Sequence, residues 1–163
     1  MPISADTAVF PENAVELIAS SVQLLDDTLS VFMRPLRNTD PEFTVGVFGA
    51  RWEPDDSSYE MRGQANRGPS LSRYMIVIQA MVKDMEEVRG LRRSSNLGAA
   101  IRVMLLRDPA LGVAFQSLRA TPGGTTESSR RWGVRAHDFI SNELSGTWTY
   151  LSTLEFMIET ETV

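Results

Sequence analysis

Apolar residues recur at helical spacing along the first quarter of the chain. Val15, Ile18, Val22, Leu25, Leu29, Phe32 and Leu36 stand three or four residues apart, which places them on one face of a helix. Glu16, Ser20, Gln23, Asp26, Asp27 and Ser30 lie between them. Pro11 suits the first turn, and Glu12 favours the positive end of the helix dipole. Pro35 stops the helix near Arg34, because its ring clashes with the preceding turn. The spacing predicts a helix over residues 11–34, its apolar stripe serving as core.

The pattern then changes to alternation. Phe43, Val45, Val47, Ala50 and Trp52 read as a strand, with Gly46 and Gly49 as candidate bulges. Asn38 to Pro41 is the turn leading in. Residues 53–70, EPDDSSYEMRGQANRGPS, follow neither period and read as a long loop arm. In residues 72–82, Tyr74, Ile76, Ile78, Ala80 and Val82 take one face. Met75, Val77 and Met81 take the other. A strand apolar on both faces belongs in the middle of a covered sheet.

The run KDMEEVRGLRRSS reads as a charged connection. Ser94 or Ser95 is then the expected cap of a helix over residues 95–107, ended by Asp108-Pro109. Val113, Phe115, Ser117 and Arg119 suggest a strand, and residues 121–126 a glycine-rich loop tip. Residues 128–141 alternate, with Trp132, Val134 and Ala136 opposite Arg131, Arg135 and His137. Asn142 to Gly146 reads as a turn. The last strand sets Trp148, Tyr150, Ser152, Leu154, Phe156 and Ile158 against Thr149, Thr153, Glu155 and Glu159. The expectation is an α+β fold over residues 1–163 as one domain: a mainly antiparallel β-sheet with two helices packed on one face, and long loop arms.

Composition narrows the chemistry more than it adds to it. The chain has 163 residues, 42% of them hydrophobic and 23% charged, as in ordinary globular domains. No apolar run approaches the roughly 20 residues that cross a bilayer, and the first residues lack the basic and apolar regions of a signal peptide. There is no cysteine, so a thiol nucleophile or thiolate metal site is excluded. One histidine, His137, and one lysine, Lys83, are present. Neither GK[ST], HExxH, an EF-hand loop nor GxGxxG occurs. No catalytic activity and no cofactor are expected. His137 lacks an identifiable nucleophile and orienting acid, and reads as a strand histidine on a polar sheet face. The adjacent acids Asp55-Asp56 and Glu86-Glu87 read as solvated turn residues, since neighbouring side chains point apart.

Charge is unevenly distributed. Residues 1–41 carry −4, residues 42–93 zero, residues 94–142 +3 and residues 143–163 −4, within a total of −5. Acidic ends and a basic middle can complement copies of the same chain in a ring. A net negative protein is poorly suited to dedicated nucleic-acid binding. Arg89, Arg92 and Arg93 form one basic cluster, and Arg130, Arg131 and Arg135 another. They are candidates for subunit contact, with a solvated face as the plain alternative. Trp52, Tyr59, Met61, Arg62 and Arg67, at the base of the polar segment and within it, are residue types enriched at interfaces.

Order and texture together resemble the tail terminator proteins of phages with long non-contractile tails. The likeness runs from AVELIASSVQLLDDTLSVFM, through RYMIVIQAMVKD and NLGAAIRVMLLRD, to the closing GTWTYLSTLEFMIETET. The resemblance implies a virion structural protein of the tail-neck region, assembled in the host cytoplasm. It implies a hexameric ring on the finished tail tube that stops tube growth and meets the head-tail connector or stopper. Its expected partners are copies of itself, the tail tube protein and that connector, with DNA passing through the lumen without specific binding and no membrane involved. The alternatives are another ring subunit of the neck or tail, or a nucleic-acid-binding accessory protein using the arginine clusters.

Overall fold

The computed structural model describes residues 12–54, 70–117, 127–144 and 147–162. Its centre is the pairing of β3 (Ser70–Asp84) with β5 (Thr147–Thr162), antiparallel from Ser70 opposite Thr162 to Asp84 opposite Trp148. β2 (Phe43–Pro54) flanks β3, and β4 (Glu127–Leu144) flanks β5, both antiparallel. A short β1 (Ser30–Phe32) pairs parallel with Thr44–Gly46, giving the order β1-β2-β3-β5-β4. β3 is therefore the central strand, as its apolar faces require. Tyr74, Ile76, Ile78, Ala80 and Val82 are buried beside Leu154, Phe156 and Ile158 of β5. Three helices close this side of the sheet: α1 (Glu12–Gln23), α2 (Glu87–Arg107) and α3 (Pro109–Ser117). The molecule is thus α+β, with its core between helices and one sheet face.

Several boundaries differ from the sequence expectation. α1 ends at Gln23 rather than near Arg34. The carboxylate of Asp26 accepts hydrogen bonds from the backbone N–H and hydroxyl of Thr28, at 2.8 and 2.6 Å. The Gln23 side chain donates to the Leu29 carbonyl at 3.0 Å. These bonds make a turn in which Asp competes successfully with the helix. Val15, Ile18 and Val22 are buried helix positions, whereas Leu29 fills the core from the turn and Phe32 belongs to β1. Beyond β1 the chain crosses to the other sheet face. There the Leu36 N–H donates to Gln79 at 3.0 Å, and Lys83 donates to the carbonyls of Asn38 and Asp40 at 2.6 and 2.8 Å. Gly46 is not a bulge: it pairs in register with Gln79, and a side chain there would lie 2.6 Å from the Arg34 carbonyl. The irregularity in β2 falls between Gly49 and Arg51.

α2 starts at Glu87, well before Ser95. Its first turns are the run expected as a connection. The buried positions there are Gly90 and Ser94, so the helix presents no apolar stripe to read. Ser94 is not a cap; its carbonyl accepts from the Ser152 hydroxyl at 3.1 Å. Asp108 ends α2 and caps α3 by accepting the Ala110 N–H at 2.9 Å, with Pro109 in the first position. The strand expected through Val113 is this helix. Arg119 and the loop tip at 121–126 lie outside the described residues. β4 runs on through Leu144, past the turn expected from Asn142.

β4 carries irregularities at Arg130 and Arg135. The second reverses the alternation. Trp132 and Val134 stand opposite Ile158 and Phe156, and after the bulge His137 stands opposite Leu154 while Ala136 moves to the Glu155 side. His137 is therefore on the helix-covered face, not on a polar one.

Close packing of α2 on β5 rests on missing side chains. A Cβ at Gly90 would collide with the ring of Tyr150, which is 2% exposed and has no room to turn away. Gly133 has nothing within 4 Å of that position. Gly90→Val should lower stability by about 1–3 kcal/mol, as overpacked sites do, while Gly133→Ala stays within about 0.5 kcal/mol of wild type. Urea unfolding of the two variants checks the contrast.

Candidate functional site

The arginine clusters do not act as two basic patches. The first turn of α2 directs Arg89 back onto Asp84 at the end of β3. Its Nε donates to one carboxylate oxygen at 2.8 Å and a terminal nitrogen to the other at 2.7 Å. Arg93 adds a longer contact at 3.4 Å and lies over the Phe43 ring, 5.3 Å from its centroid. The Glu86 N–H also donates to Asp84, at 2.9 Å. Asp84 is buried, and the paired Arg89, aided by that backbone donor, holds its carboxyl far below the usual range. Arg92 is exposed on another side of the helix. In β4, Arg131 pairs with the buried Glu159 at 2.8 Å, whereas Arg135 is exposed at the bulge. Arg130 lies in β4 beside the first irregularity.

A third buried carboxylate, Asp40, escaped the sequence reading. Asp40 accepts both terminal nitrogens of Arg34, at 3.0 and 2.7 Å, and the Arg37 N–H at 2.6 Å. The Arg34 bonds, then the backbone bond, lower its pKa to about 2. Both networks fasten connections to the sheet: Asp40 the segment between β1 and β2, Asp84 the entry into α2.

Trp52 stacks on Tyr74 with ring centroids 5.7 Å apart and planes 9° apart, yet remains 51% exposed. Tyr59, Met61, Arg62, Arg67, Asp55 and Asp56 lie outside the described residues. His137 faces Gly98 of α2, and its Nε2 is buried without a hydrogen-bond partner. Burial, reinforced by Arg102, lowers its pKa below the ordinary histidine value. Burial thus favours the neutral imidazole. No group of three metal-ligating side chains occurs among the described residues, and no described helix is long and apolar enough to cross a membrane.

Two kinds of exposed surface remain. The first is the pair of sheet edges. Among the described residues, β4 pairs only with β5, and β2 is covered by β1 only at Thr44–Gly46. Phe139 and Ile140 of β4 are 55% and 56% exposed. The second is the outer surface of α2, where Val88, Leu91, Val103 and Leu106 are half exposed or more. A shallow groove of about 600 Å³ runs along it between Leu25 and Val103, and another of about 510 Å³ between Leu106 and Phe139. Sequence reading missed this surface because it looked for one stripe per helix.

Comparisons with known proteins add the following. No family model matches the chain and no curated protein matches it. Among solved structures, it is similar to a chain from the virion of a native gene transfer agent particle, at 12% identity and a TM-score of 0.49, covering 97% of this chain and 99% of that one. It is also similar to a solved chain carrying no functional description, at 11% identity and a TM-score of 0.43, covering 90% of each.

The buried carboxylates make acid stability a test of these networks. Asp40 and Asp84 have depressed pKa values in the folded state. Their contribution is present above the unfolded value of about 4 and is lost as pH falls through the folded values. The thermal midpoint should therefore fall between pH of about 5 and about 2. Asp84→Asn should lower the midpoint at pH 7 and flatten that dependence, as followed by circular dichroism.

Proposed function

We propose that this is a structural virion protein of a tailed phage: a ring subunit that caps the tail tube as a hexamer, stops its polymerisation and offers the surface that joins tail to head-tail connector. The observation that carries the reading is the pair of open edges at opposite ends of one sheet, β4 on one side and the upper part of β2 on the other. Two different patches on opposite flanks make a heterologous contact, which closes into a ring when the rotation allows. Backbone groups along such edges seek partners in a neighbouring chain. The bulges at Arg130 and Arg135 restrict which strand can dock. Trp52, at the β2 end, and the segment 53–70 with Tyr59, Met61, Arg62 and Arg67 would contribute side chains to the same contacts.

Nucleic-acid binding is disfavoured because Arg89, Arg93 and Arg131 already serve carboxylates. A net charge of −5 suits a lumen through which DNA slides without being held.

Ile140→Lys tests the edge. Its side chain is exposed, so the subunit should fold with an unchanged circular dichroism spectrum, while the yield of rings falls at least about tenfold, equivalent to about 1.4 kcal/mol per contact. In phage carrying this variant, electron microscopy should show tails of uncontrolled length. Tails of normal length that lack this protein at the head-proximal end would overturn the assignment.

A further inference from the structure

The two edges of the sheet carry opposite ends of the same rows. Across the registered strands from β2 to β4, one row is Glu53, Arg73, Glu159 and Arg131. Charge alternates along it, so the row ends acidic at one edge and basic at the other. Arg131 engages Glu159 through its Nε, at 2.8 Å, and its side chain is 74% exposed. Glu53 is 36% exposed, with Arg51 of the same strand 3.5 Å away. The next row is Trp52, Tyr74, Ile158 and Trp132, with a tryptophan at each edge. The third runs from Arg51 through Met75 and Met157 to Gly133. Among the described residues, nothing lies within 4 Å of where a Cβ of Gly133 would stand. All three rows fall between the strand irregularities, which lie at Arg130 and Arg135 in β4 and at Ala50 in β2.

We infer that β4 of one copy pairs with β2 of a second copy in the register that continues these rows. The inference rests on the sheet-edge contact proposed above and gives it a register. Arg131 then stands opposite Glu53 of the partner subunit, Trp132 opposite Trp52 of the partner subunit, and Gly133 opposite Arg51 of the partner subunit. Successive strands from β2 to β4 are antiparallel, so the two edge strands run in opposite directions. A rotation that joins them therefore makes an antiparallel ladder. Paired residues in such a ladder alternate between exchanging hydrogen bonds and not. Three ladders inside the subunit leave the phase in which a fourth continues the same rows, with every side chain on its own face.

Charge and shape select this register over its neighbours. A slip of one residue would turn Trp132 and Trp52 to opposite faces. A slip of two sets Arg131 against Arg51 in one direction and carries it past Pro54, the end of β2, in the other. Pairing β4 with β4 of another copy would gather Arg130, Arg131 and Arg135 of both along one ladder, and like charges directly opposite are destabilising. In the continued register the terminal nitrogens of Arg131 meet Glu53 of the partner subunit while its Nε keeps Glu159. Trp132 extends the stack of Trp52 on Tyr74, whose ring centroids are 5.7 Å apart. The long side chain of Arg51, 59% exposed, covers the open place at Gly133. Further along, β1 occupies the side of β2 at Thr44–Gly46, and the bulge at Arg135 bends β4 before that level.

The chain has no cysteine, so introduced thiols report this contact. Arg51→Cys and Gly133→Cys are placed together in the full chain. Within one subunit these positions are three strand spacings apart, about 14 Å, beyond disulfide reach. A bond between them must therefore join two copies. Oxidation at a chain concentration of about 1 mM should give a ladder of covalent oligomers. The pair Glu53→Cys and Gly133→Cys, two residues out of register, should cross-link at least about tenfold more slowly, since diagonal neighbours stand about 7–8 Å apart. A faster ladder from this second pair, or no covalent species from either pair, would overturn the register. Adding Glu53→Arg to the first pair should slow its cross-linking at least about threefold; an unchanged rate would overturn the pairing of Arg131 with Glu53. Native mass spectrometry of the unmodified chain reads the ring separately. Hexamers without the bond between positions 51 and 133 would overturn this register and leave the ring standing. A ladder through that bond with no closed species of six would support the register and contradict the hexamer.

Discussion

The antiparallel pairing of β3 with β5 is the constraint from which the rest of the fold follows. The two strands pair without a bulge over their length, so a slip of one residue would turn Ile76, Ile78, Leu154 and Phe156 away from the helices. The fixed register puts Tyr150 and Ser152 directly beneath α2, where only Gly90, Ser94 and Gly98 leave enough room. It also sets Asp84 at the end of β3, where Arg89 can reach it from the first turn of the helix. Helix placement, the buried carboxylate and the exposed far side of α2 are all consequences of that one ladder.

Among the described residues, the same pairing leaves the sheet open on both sides. β5 holds β4 at one end and β3 holds β2 at the other, and β1 shields three positions of β2. In an isolated soluble protein, such edges are a hazard. Here they combine with Arg34, Arg89, Arg93 and Arg131, which already serve carboxylates. Among the described residues, open strand edges are what the molecule offers to a neighbour. The proposed structural role rests on those edges.

Period-two segments were the most legible part of the sequence. The two faces of β5 follow directly from alternation, and the central position of β3 from the apolar residues on both of its faces. Other elements were hidden for specific reasons. Leu29 and Phe32 continue the helical spacing of α1 by coincidence, although Asp26 has already turned the chain. The opening of α2 carries glycine and serine on its buried face, so hydrophobicity gives no signal there. α3 is short, and Val113 and Phe115 mimic alternation. His137 was assigned to the wrong face because a single bulge at Arg135 reverses every later position. For the candidate site, residue type was readable but pairing was not. Arg89 and Arg93 look like a patch in sequence, and only the fold brings Asp84 between them.

Hydrogen exchange on free and assembled subunits tests the central claim most directly, since it reads backbone amides at the edges themselves. Assembly through the sheet should slow exchange in β4 and in residues 47–54 of β2, while β3 and β5 are already protected in the free chain. Protection that appears elsewhere on assembly, with the amides of β4 and β2 exchanging as in the free subunit, would contradict it.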